Sequence, residues 1–308
     1  MDRLRAVFWN DEQDRVRALW RLLLHTVALG LFGSIAIVLL SSVVPGSGGS
    51  SFPSVVVALS SAAVVAGATW LLAARVDKRR FDEFGLRLSA RWWADFGAGV
   101  VIGVVLMTGI FVVELRAGWL SIEDRLVGAA PGQPFALALL GPFVVFVAVG
   151  FYEELFSRGY HLRNMAEGLR VGPIGPRAAL LLATLISSSV FGLLHASNPS
   201  ASLISTVSVA LAGCMLALGL LWTRELGLPI GLHLSWNFCQ GNVFGFPVSG
   251  NFAGARVVAI EQLGDPLITG GSFGPEAGII GIAAMLIGAG LIALWVLVSR
   301  GELRLGPL

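Results

Sequence analysis

Apolar residues reach this chain in long runs, broken by short polar stretches. A helix that spans a bilayer needs about twenty mostly apolar residues. Segments of that kind are predicted at 22–44, 55–74, 95–114, 134–152, 178–196, 203–222, 229–246 and 277–298. Five of the eight are uninterrupted; those at 134–152, 178–196 and 229–246 contain ionisable groups or run short. The pattern predicts an all-α, polytopic membrane helix bundle of about eight transmembrane helices. One transmembrane domain occupies 22–298, preceded by an amphipathic segment over 1–21 and followed by a tail over 299–308.

Composition agrees with the runs. Of 308 residues 56% are hydrophobic and 13% charged, where a soluble domain carries about a quarter charged residues. The balance excludes a soluble fold, and nothing in it points to nucleic acid. Charge position adds the orientation. With the N-terminus in the cytoplasm and the spans alternating, all 21 basic residues except Arg116, Arg125 and Arg256 fall in cytoplasmic segments. This asymmetry is the positive-inside rule, and it predicts cytoplasmic N- and C-termini. Only Lys78 among the basic residues is a lysine, a bias of GC-rich genomes; the expected location is a bacterial cell membrane. The first 21 residues are too long and too mixed for a signal peptide and read as a retained cytoplasmic helix on the membrane surface. Residues 44–54 read as an uncharged outer turn. The Gly- and Pro-rich stretch 245–275 reads as a long outer loop of the kind that is often functional. Cys214 and Cys239 lie in apolar runs and read as small core hydrophobes. No internal repeat is visible.

Ionisable groups inside a membrane are costly, about 2.5–3.5 kcal/mol each at mid-bilayer on insertion scales, and usually face a protein interior. The fourth span ends in GFYEELFSRGYHLRN. Glu154 and Arg158 are one helical turn apart and can pair, while Glu153 points about 100° away and stays free. The fifth span ends in SSSVFGLLHASNP, with Phe191 and His195 on one face. The seventh, LGLPIGLHLSWNF, puts His233 and Asn237 on one face of a helix begun by Pro229. Each feature alone has a structural explanation: solvated interfacial glutamates, a packing histidine, an interhelical amide bond. Together they are three polar faces on three helices, where the clean spans bring almost none. His25, Asp95 and His161 read as interfacial.

The order EExxxR, FxxxH, HxxxN on successive apolar helices resembles the CAAX-protease and bacteriocin-processing (CPBP, or Abi) family, which includes the type II CAAX prenyl endopeptidases. The matching residues are Glu153, Glu154, Arg158, Phe191, His195, His233 and Asn237, within a core at about 135–245. The resemblance implies an intramembrane endopeptidase that cuts near the C-terminus of a membrane-associated substrate, prenylated or bacteriocin-like. It implies that Glu153 and His195 activate a water and that His233 and Asn237 stabilise the oxyanion. Glu154 and Arg158 become a supporting pair, and Phe191, on the same face as His195, a further supporting residue. The expected partners are membrane lipid and a peptide or protein substrate, and no cofactor is expected. A zinc-dependent version, with Glu153, His195 and His233 as ligands, is the alternative chemistry. A catalytically idle relative serving as an immunity or scaffold protein is the alternative function, and a proton-coupled transporter is a third. One spacing conflicts with the shared site. His195 falls roughly 25 Å along its helix from the cytoplasmic end, whereas Glu153 and His233 fall near that end. The expected resolution is a deep cavity facing the cytoplasm.

Overall fold

Among the described residues seven helices are long and apolar enough to cross a membrane, and a further, shorter helix is buried among them. The computed structural model describes residues 5, 7–11, 13–43, 52–252 and 254–306; most of the expected outer turn at 44–54 lies outside them. In chain order the helices are α1 (Ala18–Val43), α2 (Phe52–Leu72, extended by a π turn to Asp77), α3 (Ala90–Arg116), α4 (Phe135–Glu154), α5 (Arg163–Gly168), α6 (Pro176–Leu194), α7 (Leu203–Thr223), α8 (Gly227–Phe238), α9 (Pro266–Thr269) and α10 (Ile279–Arg300). The strands are β1 (Trp9–Asn10), β2 (Arg15–Val16), β3 (Leu120–Val127) and β4 (Arg256–Gln262). The protein is an integral membrane helix bundle.

Four sequence expectations change. The N-terminal segment is not one helix: β1 pairs antiparallel with β2, Trp9 opposite Val16. The fourth span does not stop at its glutamates. A π-helical stretch, Leu155–Leu162, joins α4 to α5, so a single apolar rod runs for 34 residues, Phe135–Gly168. The seventh span is shorter than predicted, 12 α-helical residues followed by a π turn at Cys239–Val243. The 245–275 stretch is not a plain loop, since it contains β4, which pairs antiparallel with β3.

Contacts gather the basic residues at one end. Arg21 pairs with Asp77 at 3.1 Å and with Glu167 at 2.9 Å, which joins the start of α1 to the ends of α2 and α5. Arg15 and Arg79 reach the same Glu167. Arg163 donates to the Arg224 carbonyl, and Arg300 at the end of α10 pairs with Asp95 near the start of α3 at 2.6 Å. We call this the arginine end and the opposite one, which carries β3 and β4, the sheet end. Asp95, His25 and His161, read from the sequence as interfacial, are all buried within the protein. His25 stacks on Tyr160 at 3.9 Å and bonds to Thr69 and His161. Their partners, Arg300 for Asp95 and Thr69 and Tyr160 for His25, are distant in sequence, so spacing alone does not reveal them.

Helix α8 is buried on all sides from Gly227 to Trp236. Its apolar sequence suits an interior helix, and small residues let it fit. A Cβ at Gly99 or Gly103 of α3 would overlap the backbone of α8 around Leu228 and Leu232, and one at Gly227 or Gly231 would overlap that of α3 around Trp92 and Phe96. Such small-xxx-small faces bring backbones into contact. Gly103→Val is therefore expected to cost about 1–3 kcal/mol by overpacking. Gly109→Val, on the same helix with open space around it, is the control. Thermal unfolding of the two variants in detergent should separate them.

Candidate active site

A π turn follows Glu154, and such wide turns inside helices are frequent at functional positions. Glu154 is fully buried, and Arg158 donates to its Oε1 at 2.8 Å. This is the ion pair that the four-residue spacing predicts. A second Arg158 nitrogen donates to the Gly213 carbonyl of α7 at 3.1 Å, and the guanidinium lies 4.3 Å over the Phe191 ring.

The same Glu154 oxygen meets His233 Nδ1 at 2.9 Å. A carboxylate held by an arginine only accepts, so the proton of that bond is on Nδ1, and Glu154 orients the ring. Nε2 of His233 is then turned toward Glu153, 3.9 Å from its Oε2. On α6, His195 Nδ1 lies 2.8 Å from the Phe191 carbonyl. A carbonyl also only accepts, so neutral His195 carries its proton on Nδ1 and leaves the Nε2 lone pair free. The Phe191 ring stands 4.8 Å from that of His195 and 6.1 Å from that of His233. Glu153 Oε2 is buried and takes no hydrogen bond from the protein; water usually satisfies such an oxygen.

Glu153, Phe191, His195, His233 and Asn237 line one cavity of about 370 Å³. Glu154 and Arg158 lie behind its wall. The long rod removes the spacing conflict. Glu153 sits midway along it, and α6 packs beside its lower half, with Ser187 Oγ donating to the Ser157 carbonyl at 3.0 Å. The expectation is an opening at the basic end. From Glu153 the lining climbs through Val149 and Val145 to Ser54, Ser249, Asn251 and Phe252, toward the sheet end rather than the arginine end. A side slot, lined by Leu29, Val65, Tyr152, Phe156 and Leu194, also reaches Glu153 and His195.

Sequence reasoning missed Glu276, which lines the same cavity. Its carboxylate accepts from the Ser249 N–H at 2.6 Å and from the Gln240 amide. It lies in a Gly/Pro-rich loop without helical periodicity, so no pattern singles it out. Burial pushes its pKa from 4.5 up to about 7. The folded chain therefore keeps this proton over a range where the unfolded chain has lost it. The contribution of Glu276 to stability should be full below pH about 4.5 and be lost, by roughly 3 kcal/mol, as pH rises through about 7. Denaturation curves across that range, with Glu276→Gln as the flat comparison, test this.

Among the described residues no three His, Cys, Asp or Glu side chains are grouped closely enough to hold a metal ion as placed; the Glu154 bond to Nδ1 leaves Nε2 of His233 open to a ligand.

Comparison with known proteins gives one match. Residues 135–239 fit the family model described as type II CAAX prenyl endopeptidase Rce1-like. No curated protein and no solved structure matches the chain. The matched third of the chain contains every motif residue from Glu153 to Asn237, and over that third the chain is similar to the type II CAAX prenyl endopeptidases.

Proposed function

We propose that this protein is a glutamate-type intramembrane endopeptidase that hydrolyses a peptide bond in a membrane-associated polypeptide, near its C-terminus. The observation that carries the reading is the convergence of Glu153, His195, His233 and Asn237, from three helices, on one cavity.

The carboxylate of Glu153 accepts a proton from a water, and His195 Nε2 accepts the other hydrogen as a hydrogen bond and orients the oxygen. The water oxygen bonds to the scissile carbonyl carbon, and the π electrons move onto the carbonyl oxygen. His233, protonated at Nε2 and balanced by Glu154, and the Asn237 amide donate to that oxyanion. Fixed donors in a dry site are commonly the largest contribution to catalysis. When the C–N bond breaks, the proton on Glu153 passes to the leaving nitrogen, which restores the carboxylate. Neither a serine nor a cysteine nucleophile is needed.

Purified protein should cleave a lipid-anchored or apolar-anchored peptide, and a chelator should leave the rate unchanged. His195→Ala should lower the rate by about 100-fold or more. Cleavage abolished by chelator and restored by zinc would favour the metal-dependent alternative. A folded protein that binds such peptides but cuts none would favour the immunity or scaffold reading.

A further inference from the structure

We propose that the catalytic cavity is loaded from the extracytoplasmic side, so that the bond cut lies in an uncharged, outward-facing stretch of a membrane-anchored polypeptide. This rests on the protease reading above.

The first observation is a floor closed beneath Glu153 apart from the side slot past Phe156 and Ser157. On the arginine side of Glu153, the residues Glu154, Leu155, Arg158, Tyr160 and Leu162 are each at most 1% exposed. Tyr160 bonds to Asp77 at 2.7 Å, and Phe84 and Leu226 fill the layer beneath. A peptide arriving from that end would have to displace the core that joins α1, α2, α4 and α8.

The second observation is an open wall on the other side. The cavity rises from Glu153 and His195 past Val149 and Val209 to a rim of Ser54, Asn198, Ser249 and Asn251. Phe252 at this rim is 62% exposed. The rim residues are uncharged hydrogen-bonding groups. They match a peptide backbone and small polar side chains and offer nothing to a charged terminus. Glu276, the acidic group nearest the rim, already accepts from Ser249 and Gln240.

The third observation fixes the side. The basic residues of the described chain are concentrated at the arginine end, while the sheet end holds Arg116, Arg125 and Arg256. Basic loops stay in the cytoplasm. The cavity mouth therefore faces away from it. A prenylated C-terminus displayed in the cytoplasm is on the wrong side of the closed floor.

Membrane vesicles of known sidedness, carrying the full-length protein, test the assignment. A lipid-anchored, uncharged, quenched fluorescent peptide is added to the outer leaflet. Asn251→Cys is labelled in parallel with a membrane-impermeant maleimide, against the unsubstituted protein for the Cys214 and Cys239 background. Right-side-out vesicles should cleave at least about ten times faster than inverted ones, with the difference lost in detergent, and only they should label at position 251. Faster cleavage and labelling in inverted vesicles would overturn the proposal. If detergent-solubilised protein cuts nothing, the protease reading fails, and the labelling still decides which side the cavity faces.

Discussion

Glu153→Gln is expected to reduce kcat for peptide cleavage by about 1,000-fold or more, at the upper part of the range for a lost general base, with KM changed little. Glutamine keeps the size and the hydrogen-bonding oxygen but cannot take a proton. Glu153 has one buried oxygen without a protein donor and no arginine partner in the arrangement. Its replacement therefore leaves the buried Glu154–Arg158 pair intact and should not lower the melting temperature appreciably. A steady-state comparison of wild type and Glu153→Gln, with a thermal melt of each, separates loss of chemistry from loss of fold. An unchanged kcat would remove Glu153 from the mechanism.

Loss of the neighbouring carboxylate's partner has a different signature. Arg158→Ala strands Glu154 in the core with His233 as its remaining contact. Breaking a buried pair from one side typically costs about 3–5 kcal/mol, enough to deplete folded protein. It also removes the bond to Gly213 and the contact over Phe191, which tie α4 to α7 and α6. The paired variant Glu154→Leu with Arg158→Met discriminates the two roles. Replacing both partners with apolar groups of similar volume is often close to neutral, so stability should largely return. Activity should not, because His233 Nδ1 has lost the acceptor that aims the ring. Recovery of both in the paired variant would show that Glu154 has no orienting role.

The sequence makes the helices legible because lipid demands apolar runs and because arginines mark one side. The motif residues are legible because polar groups are rare in such runs. What escapes is set by contacts between distant segments. The stretch after Glu154 contains Arg158, His161, Arg163, Asn164 and Glu167, so it reads as the end of a span. It continues as helix because Arg21, Arg15 and Arg79 neutralise Glu167, Gly213 receives Arg158, and His25 meets His161. None of those partners is near in sequence. The same reason hides the direction of the cavity, which depends on where the 34-residue rod is centred. Glu276 is invisible for another reason: the tight turns around Gly270 and Gly274 bring it to the cavity, and loop residues carry no periodic signal. The N-terminal hairpin is a two-rung ladder, too short for alternation to register.

The central claim is that Glu153 and His195, on separate helices, act on one water in one cavity. The most direct measurement is a double-mutant cycle on kcat with Glu153→Gln, His195→Ala and both together. Groups that act as a unit are strongly non-additive. The account predicts a double variant about as slow as Glu153→Gln alone. A double variant slower by the full product of the two single losses would contradict it, since the residues would then act independently.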